Sequence, residues 1–83
     1  MTVFERNARY SYEEKLSRLK CTYDNEHLRT FSYKGFDIIT ISKQMSGIMC
    51  FFYREGKLIK MRHQIYKKDI IQYAKNYIDS ELI

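Results

Sequence analysis

Ile48-Met49-Cys50-Phe51-Phe52-Tyr53, closed by Arg54, is the stretch that decides the fold. Side chains of a β-strand point alternately to opposite sides, so a strand with no polar residue on either side must be covered on both faces. With six consecutive apolar residues it is the longest such run in the chain. That is far short of the roughly 20 needed to span a bilayer, so the stretch reads as a central strand of a sheet. Gly47 precedes it and Glu55-Gly56 follows it, both turn signals.

Outward from this strand, both neighbours read as strands too. Phe36 to Ser42 contains the β-branched run Ile38-Ile39-Thr40-Ile41, and Leu28 to Tyr33 precedes it. Lys34-Gly35 joins these two as a two-residue connection, in which glycine supplies the positive φ of a tight hairpin. On the other side, Lys57 to Tyr66 alternates: Ile59, Met61, His63 and Ile65 fall on one side, Lys60, Arg62 and Gln64 on the other. The expectation is a half-buried strand whose apolar side carries Ile59, Met61 and Ile65, with His63 a core or rim histidine.

Both ends read as helix. Ser11 with Glu14, and Thr2 with Glu5, have the spacing of capping boxes. Tyr12, Leu16, Leu19 and Tyr23 trace one helical face, which Val3, Phe4 and Ala8 extend backwards. At the other end Ile70, Ile71, Ala74, Tyr77, Ile78 and Leu82 form an apolar stripe opposite Lys68, Gln72, Lys75, Asn76 and Asp79. The expected architecture is α+β in the order α-β-β-β-α. It is a single domain over residues 1–83, with an N-terminal helix within 3–22, a three- or four-stranded antiparallel sheet over 28–66 and a C-terminal helix over 68–81. That last helix packs on one face of the sheet, and the simplest arrangement has two layers with all helices on the same face.

Composition excludes several classes. At 83 residues with 45% hydrophobic side chains, eight Tyr and five Phe, the chain is a small folded domain rather than a disordered segment. Met1 to Arg6 carries no charged leader followed by an apolar block, so neither a signal peptide nor a membrane span is expected, and the location expected is cytoplasmic. Cys21 and Cys50 are too few to staple a secreted mini-protein and read as reduced thiols in the core. Charge is uneven. Residues 1–26 carry five basic and five acidic side chains, residues 27–75 ten basic and three acidic, and Asp79 and Glu81 complete the net +5. The positive field therefore belongs to the second half of the chain.

No arrangement of residues points to catalysis. Cys21, His27, Cys50 and His63 are isolated, with no CxxC or HxxxH spacing for a metal. No GxSxG elbow or glycine-rich phosphate loop is present, and the carboxylates read otherwise: Glu13-Glu14 as helix-surface and capping residues, Asp37 alone in its strand, Asp79 and Glu81 as solvated charges. No catalytic, metal or cofactor residue is assigned and the protein is not expected to be an enzyme.

A binding surface is the one functional signal. Arg54, Lys57, Lys60 and Arg62 run through a turn and along the last strand, followed by Lys67 and Lys68 where the last helix begins. Positive charge there opposes the helix dipole, a local cost that invites a functional reading. Tyr53 and Tyr66 interleave these cations and are expected to be exposed. Tyr and Arg are enriched in interface hot spots, and the same pair stacks on bases.

Three resemblances add to this. The element order with Lys67-Lys68-Asp69 opening the last helix resembles a double-stranded-RNA-binding domain, whose phosphate-clamping lysines would fall on Lys67 and Lys68. That family continues with alanine and lysine, where this chain has Ile70-Ile71. Its Gly-Pro-x-His loop has no counterpart in a chain without proline. A three-stranded sheet with a C-terminal helix is also similar to the arm-binding domain of phage integrases, which implies that Arg54, Lys60 and Arg62 face a DNA groove. Gly35-Phe36-Asp37, Gly47-Ile48, Ile59-Lys60 and Ile78-Asp79 give residues 33–79 a layout similar to small accessory proteins of phages of low-GC Gram-positive bacteria. That resemblance implies an inhibitor or anti-defence role, in which the protein binds and modulates a host or phage protein such as a nuclease or replication protein. The resulting expectation is a non-enzymatic protein with a macromolecular partner, protein favoured over nucleic acid and no membrane. The alternative is a small basic nucleic-acid-binding module using the Arg54–Lys68 surface. A domain this small often completes its core by self-association, which makes a homodimer a further arrangement to look for.

Overall fold

Two tight turns set the sheet. In the computed structural model, which describes residues 2–43, 47–66 and 68–83 (the side chains of Val3 and Lys43 excepted), Lys34 and Gly35 have φ of 50° and 84°, and Glu55 and Gly56 have 52° and 81°. Positive φ at both central residues gives the turn a twist that matches that of the strands it joins. Four antiparallel strands result: β1 (Leu28–Tyr33), β2 (Phe36–Lys43), β3 (Gly47–Arg54) and β4 (Lys57–Ile65). They lie in chain order, β1-β2-β3-β4, so β3 is central and β1 and β4 are edges.

The N-terminal segment forms two helices, not one. α1 (Val3–Ala8) begins where the Thr2 hydroxyl accepts from the Glu5 amide at 3.1 Å. α2 (Tyr12–Lys20) begins where the Ser11 hydroxyl accepts from the Glu14 amide at 3.4 Å. Each expected cap therefore starts its own helix, with the break between them. The Tyr12 amide also donates to the Gly56 carbonyl at 3.0 Å, tying α2 to the β3–β4 turn. α3 (Ile70–Tyr77) starts at the first residue of the apolar stripe, two residues after the expected 68, capped by the Asp69 carboxylate on the Gln72 amide at 3.0 Å, and runs into a π-helical turn, Ile78–Leu82.

The helices cover opposite faces, so the domain has three layers where two were expected. Leu19 of α2 packs with Leu28, Ile39, Ile41, Phe51, Tyr53 and Leu58 on one side. Ala74 and Ile78 pack with Phe36, Ile38, Cys50, Phe52 and Ile65 on the other. The physical reason lies in β2 and β3, where Ile38 and Ile39, and Phe51 and Phe52, are apolar neighbours pointing opposite ways; neither face tolerates water. The reading of β3 as a strand covered on both sides holds, and the C-terminal helix lies on a single face as expected.

Strand β4 departs most from its expected pattern. Its pairing with β3 shifts twice: Tyr53 lies opposite Leu58 but Phe52 opposite Lys60, and Cys50 lies opposite Arg62 but Ile48 opposite Ile65. Each shift inserts an extra residue and reverses the side on which later side chains fall; Gln64, in the second, has φ 58°. Leu58 and Met61 therefore join the α2 side and Ile65 the α3 side, while Ile59 and His63 are exposed. The expected shared face of Ile59, Met61 and Ile65 does not exist, nor does a core position for His63. On α3, Tyr73 packs where Ile71 was expected, and Ile71 is exposed. Cys50 is buried and Cys21 exposed, both as free thiols, so the core reading applies only to Cys50.

Candidate interaction surface

The shifts in β4 gather its cations. Residues directly opposite each other across two strands share a face. Lys57 opposes Arg54, which opposes Phe36, while Lys60 opposes Phe52 and Arg62 opposes Cys50. Phe36, Cys50 and Phe52 belong to the α3 side. Arg54, Lys57, Lys60 and Arg62 thus form one row on that side of the β4 edge, all exposed. Unbroken alternation would have put Lys57 on the face opposite Lys60 and Arg62; the extra residue at Ile59 brings it into line.

The cations at the ends of this row rest on aromatic rings. The Arg62 guanidinium lies 5.4 Å from the centroid of Tyr77, which stacks on Phe52 at 5.2 Å and on Tyr73 at 6.3 Å. The Arg54 guanidinium lies 5.2 Å from the Phe36 ring. Such contacts hold the charged groups in place without neutralising them.

Tyr53 must be removed from the surface. It is 0% exposed, edge-on to Tyr12 with centroids 5.6 Å apart at 73°, because the α2 side of β3 needs its ring to meet that helix. Its hydroxyl is buried without a hydrogen-bond partner among the described residues, and burial pushes its pKa up to about 12. Tyr66, by contrast, is 72% exposed just past β4. Lys67 lies outside the described residues. Lys68 is exposed at the opposite end of β4 from Lys57, beside Glu26, His27 and Arg29. A nine-residue strand is about 27 Å long, so Lys68 is remote from the other end of the row.

Two residues that sequence reasoning had placed elsewhere belong to this surface. Phe4 and Ile59 are 40% and 43% exposed, and with Lys60, Met61 and His63 they line a groove of about 510 Å³ between α1 and β4. None of the described residues lining it is acidic. The groove follows from Met61, which packs inward while the Asn7 amide of α1 approaches its sulfur at 3.8 Å. Asn7 in turn accepts from the Lys15 ammonium at 2.6 Å. Phe4 was read as helix stripe and Ile59 as core. Only the strand irregularity exposes Ile59, and no local sequence signal marks it.

Asp24, Glu26 and His27 bring their ligand atoms within 4.8 Å of one another, a grouping that no CxxC or HxxxH spacing marks. Asp24 has a structural role there. Its carboxylate accepts from the Glu26 amide at 3.1 Å and the His27 amide at 3.3 Å and meets His27 Nδ1 at 2.7 Å, closing the loop into β1. The His27 contact is the main reason its pKa is lowered. No helix among the described residues is long and apolar enough to cross a membrane. No family model, curated protein or solved structure matches the chain.

Proposed function

We propose that this domain is a non-enzymatic interaction protein that binds and modulates a protein partner through the β4 edge. One observation carries the reading: the edge has exposed apolar side chains, Phe4 and Ile59, on its α1 side and four cations, Arg54, Lys57, Lys60 and Arg62, on its α3 side. Apolar anchors beside charged groups are the composition of a protein interface, where buried contacts supply affinity and charge supplies orientation and rate. The row of cations alone equally suits phosphates, which keeps a nucleic-acid-binding module as the second reading. Affinity capture with the tagged domain, with and without nuclease, separates the two. A stoichiometric protein retained after nuclease and lost with Ile59→Asp is expected. Material that disappears with nuclease and is indifferent to Ile59→Asp favours the second reading.

A further inference from the structure

We infer that the partner supplies an extended segment of alternating acidic and apolar residues, which adds to β4 as a fifth strand. This rests on the protein-binding reading above and gives it a specific chemistry. β4 closes the sheet on one side and is paired only with β3 among the described residues, so its outer backbone groups are free to pair. A strand laid along that edge sends successive side chains to opposite faces. On the α3 side they would meet Lys57, Lys60 and Arg62; on the α1 side, the groove of Phe4, Ile59 and Met61. An alternating acidic and apolar segment matches both faces at once, and neither an all-acidic nor an all-apolar segment does.

A second copy of this chain fits poorly. Antiparallel pairing of β4 with another β4 brings Lys57, Lys60 and Arg62 of the two copies together on one face, and like charges directly opposite are destabilising. Nucleic acid would use the cations and leave the apolar groove empty.

The test uses a labelled synthetic heptapeptide in which four Glu alternate with three Leu. One control has the same composition with the four Glu first and the three Leu last; another replaces every Glu by Lys. A single-stranded oligonucleotide is the fourth probe. Binding is read by fluorescence anisotropy on the full chain, and edge pairing by amide hydrogen exchange over residues 57–62. The alternating peptide is expected to bind at least about tenfold more tightly than the blocked one and to slow exchange along β4. Lys60→Glu and Ile59→Asp should each weaken it about tenfold, with circular dichroism unchanged to show that the variants fold. Equal affinity for the alternating and blocked peptides, unchanged β4 exchange, tighter oligonucleotide binding, or a dimer in sedimentation that shields β4 would each overturn the inference. If a protein captured by the domain is lost with Ile59→Asp yet is not displaced by the alternating peptide, the inference fails while the protein-binding reading stands.

Discussion

Replacing Tyr53 by Phe should stabilise this protein. The Tyr53 hydroxyl is fully buried and has no hydrogen-bond partner, and a buried polar group in that state costs about 1–3 kcal/mol relative to solvation in water. Removing it leaves the ring, and its edge-on contact with Tyr12, in place. The void created is about one heavy atom, roughly 15–20 Å³, which at about 24 cal/mol per Å³ costs below about 0.5 kcal/mol. The net gain is then about 0.5–2.5 kcal/mol. For a domain of this size each 1 kcal/mol raises Tm by about 4–8 °C, so the effect is large enough for differential scanning calorimetry. In urea the midpoint should rise with an unchanged m-value, since neither state changes its compactness. Tyr66→Phe, at an exposed position, serves as the control and should fall within about ±0.5 kcal/mol. A Tyr53→Phe protein that melts below the wild type would mean that the hydroxyl makes a stabilising bond, and the account of this side of the core would be wrong.

Ile78→Ala, at a fully buried position on the α3 side, should cost about 2–5 kcal/mol in chemical denaturation, and a wild-type melt would mean that α3 docks by another face. Burial pushes Cys50 from 9.0 and Tyr53 from 10.0 up to about 12. Both groups are neutral when protonated, so above pH 9 the unfolded chain loses protons that the native state keeps. Stability should therefore fall progressively from pH 9 to 12, and in Cys50→Ala the fall should begin only near pH 10. Binding of the protein partner should respond weakly to salt; an oligonucleotide bound at near-physiological salt with a slope of about −4.5 in log affinity against log salt, expected for about five phosphate contacts, would put the nucleic-acid reading first.

The sheet was legible in the sequence because its signals are local: the Lys34-Gly35 and Glu55-Gly56 turns, and the unbroken apolar run of β3. The helix caps at Thr2, Ser11 and the stripe of α3 were legible for the same reason. Which face each helix covers was harder to read. The adjacent pairs Ile38-Ile39 and Phe51-Phe52 already required cover on both sides, but the helical stripes do not say which side each takes. The candidate surface was read in part. Arg54, Lys57, Lys60 and Arg62 stood out by charge, and the structure aligns them on one face. Tyr53 was misplaced because a buried hydroxyl without a partner runs against the expectation that such groups are satisfied. Ile59 was missed because the register shifts in β4 leave no mark in a period-2 pattern; a positive φ at Gln64 is a property of the folded chain. Phe4 was read into the stripe of one continuous helix, which the break between α1 and α2 interrupts.

The sheet's backbone stands between two cores that share no side chains. Side chains of the α2 side gain nothing from contact with α3, and the reverse holds for Ala74 and Ile78. Opening of one outer layer thus need not disturb the other. Native-state hydrogen exchange should resolve two cooperative units, one releasing residues 70–82 and one releasing residues 3–20, each at a free energy below that of global unfolding, with β2 and β3 exchanging last. A domain built this way can loosen one helical layer while the meander, which keeps four strands in register through neighbouring hairpins, remains closed.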